Sequence, residues 1–331
     1  MRRHLGLILR VVFAVGLLAF IASRLDLRKV GAVAAAMQPG WMGGAVLLFV
    51  PIAWLAMERW RILLEVQAIH LGRKQSLQLF MIGHFFNAFL LGTTGGDVVK
   101  MFYVSQAAPG RKSAAALSVL MDRMVGLVAL LALAAIFSGW HYGFLVQKPE
   151  TAAAVWSVYA FSAAAVGGIV AALLLPWFGK FPFLAKFARR LPLRETLQNL
   201  HDALVQYAKA PAALGGAFLL ALVLHGLSFA MSYAAARALW GELMPPPLLF
   251  LSILPVILFL AAIPISPGGL GVREGLAVLF FGLAGVPPEQ ATAMGLAVFF
   301  INQLWSGVGG IVYLTYESRL KQQADFSPLR S

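Results

Sequence analysis

Apolar residues run along this chain in blocks of about membrane length, separated by short polar punctuation. The blocks cover Leu5–Ala22, Trp41–Met57, a stretch from Leu77 that breaks at Gly92-Thr93-Thr94-Gly95-Gly96, and Ser113–Phe137. Ala152–Pro176, Ala212–Trp240, Leu248–Ala262, Gly275–Ala284 and Ala291–Tyr316 follow, with a second break at Pro264-Ile265-Ser266-Pro267-Gly268-Gly269. At about 20 residues per helical crossing, these blocks supply roughly eight membrane segments. The first block follows Met1-Arg2-Arg3-His4 and lacks a small-x-small cleavage pattern before Ala22, so it reads as an uncleaved span with a cytoplasmic N-terminus.

Composition removes the alternatives. Of the 331 residues, 60% are hydrophobic and 12% charged. A soluble domain carries about 25% charged residues, and a disordered chain lacks the apolar content. Cysteine is absent, which excludes disulfides, thiolate metal sites and Cys nucleophiles. The net charge of +13 fits cytoplasmic loops and anionic lipid surfaces. Nucleic-acid binding needs a solvated basic domain, and none is present.

Loop charge orients the segments, because Lys and Arg collect on the cytoplasmic side. Arg59, Arg61, Arg73 and Lys74 mark one inside loop, Arg111 and Lys112 a second, and Arg319 and Lys321 an inside C-terminus. The connector 177–210 is the strongest inside signal, with Lys180, Lys186, Arg189, Arg190, Arg194 and Lys209. Within it Leu193, Leu197, Leu200, Leu204 and Tyr207 recur at helical spacing, as in a helix lying on the membrane surface. The loops 139–150 and 241–247 are poor in Lys and Arg and are placed outside. Arg24, Arg28 and Lys29 depart from the scheme, which needs an outside loop there. Each broken block then enters and leaves on one face, giving two re-entrant hairpins of opposite sense.

The two breaks align. Gly95-Gly96-Asp97-Val98-Val99-Lys100 overlays Gly268-Gly269-Leu270-Gly271-Val272-Arg273 at an offset of 173 residues, about half the chain. Short, Gly- and Pro-interrupted apolar segments at corresponding places in two halves point to an inverted-repeat carrier with a midplane site. Gly pairs permit the turn. A short helix is expected to begin near Asp97 and near Arg273, with free N–H groups and a positive dipole end that favour anions.

Asp122 and Arg123 lie about 14 Å into the run that starts at Ser113, at 1.5 Å per residue. A charge there costs about 2.5–3.5 kcal/mol even on the mild insertion scale. Helix neighbours do not face each other, so each needs its own partner. The candidates are Lys100 or Arg273 for Asp122, and Glu274, Asp97 or a lipid phosphate for Arg123. Asp97, Asp122 and Glu274 balance Lys100, Arg123 and Arg273, which suits a headgroup carrying phosphate with amine or hydroxyl groups. His84 and Asn87 share a face and either line the cavity or cap the first break. His225 reads as a packing or helix–helix hydrogen-bonding residue, and His141 and His201 as loop and surface residues. No metal-binding, nucleotide-binding or nucleophile-elbow motif occurs, so neither a metal nor another cofactor is expected.

At these residues the chain resembles the transmembrane region of lysylphosphatidylglycerol synthases, a family that also includes stand-alone, flippase-like membrane proteins. The likeness rests on Phe86-Asn87-Ala88-Phe89-Leu90 through Lys100, on Leu120-Met121-Asp122-Arg123-Met124-Val125-Gly126-Leu127, and on Pro267 through Gly275 with Gly285-Val286-Pro287-Pro288-Glu289-Gln290-Ala291. It covers roughly Leu5 to Tyr316. Lys100 stands where the family often has Arg, and Thr93-Thr94 where small or Pro residues are common. The resemblance implies a lipid flippase. The chain stops at Ser331, so the soluble aminoacyl-transfer domain of bifunctional members, and with it lysyl transfer, is expected to be absent.

The reading is an all-α polytopic membrane protein of one transmembrane domain over 1–331, with inverted halves at 41–176 and 211–316. The expected location is the bacterial cytoplasmic membrane, with both termini inside. The expected substrate is a phosphate-bearing lipid of the phosphatidylglycerol or aminoacyl-phosphatidylglycerol type. It would be held by Asn87, Asp97, Lys100, Asp122, Arg123, Arg273 and Glu274 around the turns at Gly95, Gly96, Gly268 and Gly269. The expected partners are phospholipid headgroups and the anionic lipid surface, with a second copy or a separate lipid-modifying enzyme as further candidates. The rival readings are a membrane-embedded transferase and an accessory scaffold in a polyprenyl-phosphate, glycolipid or hopanoid pathway.

Overall fold

The computed structural model describes residues 35, 37–89, 95–174, 205–241, 244–263 and 271–326. Among these residues the fold is entirely helical. The helices are α1 (Pro39–Val66), α2 (Arg73–Phe89), α3 (Gly95–Ala107), α4 (Lys112–Trp140) and the single turn α5 (Tyr142–Leu145). After them come α6 (Pro149–Leu174), α7 (Pro211–Trp240), α8 (Pro247–Ala262), α9 (Val272–Leu283) and α10 (Pro288–Phe326). The calls on Leu5–Ala22, the Arg24–Lys29 loop, the turn at 92–94, the Pro264–Gly269 break with Gly268 and Gly269, His201, and most of the 177–210 connector lie outside the described residues.

Proline starts five of these helices, at Pro39, Pro149, Pro211, Pro247 and Pro288. It suits the first turn, where its missing N–H would have no intrahelical partner. Five helices are long and apolar enough to cross a membrane, namely α1, α4, α6, α7 and α10. The remaining arms are short. At 1.5 Å per residue, α2, α3, α8 and α9 are about 26, 20, 24 and 18 Å long, against a hydrocarbon core of about 30 Å.

The second apolar block continues beyond Met57 to Val66. The expectation that Arg59 and Arg61 lie in a cytoplasmic loop is corrected here: both are inside α1, and Arg59 is buried. A cation can stay in the helix because the fold supplies a carboxylate for it. His141, expected as a loop residue, joins the end of α4 to α8, its Nδ1 lying 2.8 Å from the Ser252 hydroxyl.

Shifted by the 173-residue offset, α1 to α4 start within about four residues of α7 to α10. The packing follows the same correspondence. α1 packs on α2 as α7 does on α8, α2 on α3 as α8 on α9, and α3 on α4 as α9 on α10. Across the halves, α2 meets α10 as α8 meets α4, and α4 meets α7 as α10 meets α1. The central pair α1 and α7 is antiparallel: the Gln38 N–H donates to the Ala238 carbonyl at one end (3.0 Å). At the other end the Tyr207 hydroxyl donates to the Leu63 carbonyl (2.9 Å). α6 is an addition that packs on α4 and α8.

A candidate headgroup site

The first break is built by two glycines. A Cβ on Gly96 would sit 1.8 Å from the Gly83 carbonyl oxygen, so only glycine lets α2 and α3 touch backbone to backbone. The Gly96 N–H donates to the Asn87 side-chain oxygen (2.8 Å), which makes Asn87 a cap for α3. One turn on, Lys100 lies across Gly83, where an added methyl would come within 2.8 Å of its side chain. Its ammonium sits 4.8 Å from the Trp60 ring centroid and 4.9 Å from that of Phe80. Two aromatic faces thus stabilise a buried cation. The Trp60 Nε1 is itself buried without a hydrogen-bond partner among the described residues.

Each half of the Asp122–Arg123 dipeptide finds its own partner. Arg59 Nε on α1 donates to Asp122 Oδ1 at 2.7 Å, with both side chains 10% exposed. Arg123 Nε donates to Asp97 Oδ2 on α3 at 2.7 Å. Here exposure is unequal, 9% for Asp97 against 47% for Arg123. Asp122, Asp97, Arg123 and Arg59 lie near enough to Lys100 to act on it electrostatically. Among the described residues these five form one cluster of three cations and two carboxylates, formally +1. The sequence names four of its members, and Arg59 is the fifth.

Gly126 lets Arg59 into the bundle, since a methyl there would lie 3.1 Å from the guanidinium. The Gly126 carbonyl accepts from His225 Nε2 at 2.9 Å, tying α4 to α7 as the helix–helix bond expected of His225. His84 Nε2 reaches the Asn302 carbonyl of α10 at 3.3 Å and packs against Phe49 and Phe80.

The second break carries a smaller set. Glu274 Oε2 accepts the Gly271 N–H at 2.6 Å, closing the start of α9, where Gly271 has φ +82°. Glu274 Oε1 pairs with Arg273 at 3.0 Å and packs against Gly295 of α10. The positions matching Arg59, Asp97 and Asp122 at the 173-residue offset are Ser232, Leu270 and Gly295. The neutral group of six expected from the sequence therefore resolves into two sets. One is the five-member cluster in the first half, and the other is the Arg273–Glu274 pair in the second. Among the described residues no ion pair joins them. Each break has one helix-start N–H satisfied internally, by Asn87 and by Glu274, rather than left free.

Away from both sets, Gly40, Trp41, Gly44, Leu47, Leu48, Pro51 and Ala234 line an open apolar groove of about 520 Å³ between α1 and α7. It contains no charged residue and is separate from the site.

The family model described as "Lysylphosphatidylglycerol synthase TM region" matches residues 7–309. No curated protein and no solved structure matches the chain.

Proposed function

The chain belongs to the lysylphosphatidylglycerol synthase transmembrane-region family, and from that premise we propose that it carries a phosphate-bearing polar lipid between the leaflets of a bacterial cytoplasmic membrane. The observation that carries this reading is the +1 cluster of Arg59, Asp97, Lys100, Asp122 and Arg123 inside a largely apolar bundle. Polar and charged groups at membrane depth mark substrate pathways by default. An excess cation surrounded by low dielectric is stabilised by an anion. A phosphodiester supplies one negative charge, with Lys100 and Arg123 beside it and the start of α3 adding backbone dipole. Asp97 and Asp122 accept the amine or hydroxyl groups of the head, and the acyl chains stay in lipid.

The matched register of α1–α4 and α7–α10, with the antiparallel α1–α7 pair, supports an inverted-repeat carrier with re-entrant arms. In that scheme the Arg273–Glu274 pair serves the headgroup on the far side. Transport runs passively or on an ion gradient.

Purified full-length protein in phosphatidylglycerol vesicles, with fluorescent phosphatidylglycerol as reporter, tests the proposal. Flipping that is lost in Arg123→Ala and in Arg273→Ala, with folding retained, supports the carrier. Product that depends on a donor substrate, without flipping, indicates a transferase. Wild-type behaviour of both variants indicates a scaffold for a separate lipid-modifying enzyme.

A further inference from the structure

One pair of matched faces in the two halves differs in what covers it. On α4, Leu131, Ala134, Ala135 and Ser138 form a single stripe at i, i+3, i+4 and i+7. α6 lies along this stripe. Its Tyr159 hydroxyl accepts from Ser138 (3.3 Å) and donates to the Ala135 carbonyl (3.4 Å). Its Val155 and Val158 join Leu131 and Ala134 in one buried cluster. At the 173-residue offset the stripe becomes Leu304, Gly307, Val308 and Ile311 of α10. Leu131 is 4% exposed and Ser138 fully buried, whereas Leu304 is 56% and Ile311 64% exposed, with Gly307 and Val308 open between them. The other helices packed on α10 are the counterparts of those packed on α4: α2 for α8, α9 for α3, α7 for α1 and α1 for α7. Among the described residues, what α10 lacks is a counterpart of α6.

Exposure alone does not call for protein, since acyl chains are as apolar as leucine. The chain order names an occupant. α6 is the apolar segment that precedes α7, and the apolar segment that precedes α1 is the block Leu5–Ala22, 18 residues outside the described set. The ends also meet. The start of α1 touches the end of α7 through Gln38 and Ala238, and the end of α7 touches the start of α10, where Trp240 Nε1 donates to the Gln290 carbonyl (2.8 Å). The 16 residues 23–38 that follow the block reach up to about 50 Å, against about 10 Å between neighbouring helix axes. A block that ends on this side runs antiparallel to α10, as α6 does to α4. Gly307 leaves a notch in the middle of the stripe, with nothing within 4 Å of an added methyl, and small residues of this kind let a neighbouring helix approach closely in a membrane.

We propose that Leu5–Ala22 packs antiparallel on the Leu304–Ile311 stripe of α10, as the counterpart of α6 in the first half. The first apolar block is then an integral wall of the bundle, beside the α2–α10 contact that carries the first break. The proposal holds whatever the site carries, and its test reads no transport.

The chain has no cysteine, so introduced pairs report the packing without background. Leu304→Cys or Ile311→Cys in the full-length protein is combined with one cysteine substitution at each position of Leu5–Ala22 in turn. Disulfide formation in membranes is read as linked peptides by mass spectrometry of monomer-sized protein. Leu219→Cys, on another exposed apolar face in α7, is the reference. Variants are compared where they elute with wild type, and Val308→Cys replaces either stripe variant that does not. The expected result is linkage within one chain at least tenfold above the reference, recurring every three to four positions of the block. Leu304→Cys is expected to pair nearer Ala22 than Ile311→Cys does, as antiparallel packing requires. Linkage equal to that of Leu219→Cys overturns the proposal, as does the reverse order of pairing. Stripe cysteines that link to nothing show a face covered by lipid, and linkage found only between two chains shows one covered by a second copy; either result overturns it too.

Discussion

Arg59 Nε and Asp122 Oδ1 lie 2.7 Å apart across 63 positions of sequence, and both side chains are nearly sealed from the surroundings. Removing one member of such a pair strands a charge, whereas replacing both with apolar residues can be neutral. Arg59→Met is therefore expected to destabilise the protein by about 3–5 kcal/mol. Arg59→Met with Asp122→Leu is expected to recover most of that loss. Thermal unfolding of the two singles and the double, in one detergent, measures the coupling.

The contacts that α2 makes with α3 and with α10 predict strong sensitivity at two glycines and indifference at a third. Gly96→Ala drives a methyl into the Gly83 carbonyl, and Gly309→Ala puts one 2.3 Å from the Met81 carbonyl. Overpacking of this kind costs about 1–3 kcal/mol or more, so both variants should yield less monodisperse protein with lower melting points. Gly43→Ala, with nothing within 4 Å of its new methyl, should melt at or above wild type.

How much of this was legible beforehand depends on which physics carried each part. The long helices follow from apolar runs, and their starts from proline. The same is true of the rule that Asp122 and Arg123 need separate partners, because adjacent side chains diverge on a helix. Arg59 escapes the sequence reading because a charge-counting rule takes any cation near the end of an apolar run as loop. Its spacing carried the correct signal: Ile52, Ala56, Arg59 and Leu63 fall on one helical stripe, and all four are buried. The aromatic seat of Lys100 was not legible, since Trp60 and Phe80 reach it from two other helices.

Asn87 and Glu274 each close a helix start, and their substitutions should separate capping from charge. Asn87→Ala is expected to cost about 0.5–2 kcal/mol, and Asn87→Asp much less. Amide hydrogen exchange at residues 95–98 should quicken in the alanine variant. Glu274→Gln keeps an acceptor for the Gly271 N–H but drops the charge paired with Arg273, so α9 should stay protected while flipping falls.

Lys100 supplies the cluster's excess charge. Lys100→Met makes the cluster formally neutral and still fills the space over Gly83. Its stability should match or exceed wild type, while phosphatidylglycerol co-purifying in mild detergent should fall about tenfold, the effect of about 1.4 kcal/mol. Lys100→Arg, which keeps the charge, should retain most of the lipid. Quantitative mass spectrometry of extracted lipid per mole of protein gives the comparison.

The glycine contacts also bear on how this bundle moves. α3 rests on α2 through Gly96 and Gly83, and α2 rests on α10 through Met81 and Gly309, each glycine lying against a backbone carbonyl of α2. Backbone contact this close leaves the three helices little room to slide on one another. α4 is tied to α8 where His141 meets Ser252, to α7 through His225 and Gly126, and to α1 through Arg59 and Asp122. The Asp97–Arg123 bond joins α3 to α4, so any sliding of α4 along α3 strains it. An anion arriving at Arg123 competes with Asp97 for the same guanidinium. In the proposed carrier this bond is the latch, and the cargo the key that loosens it.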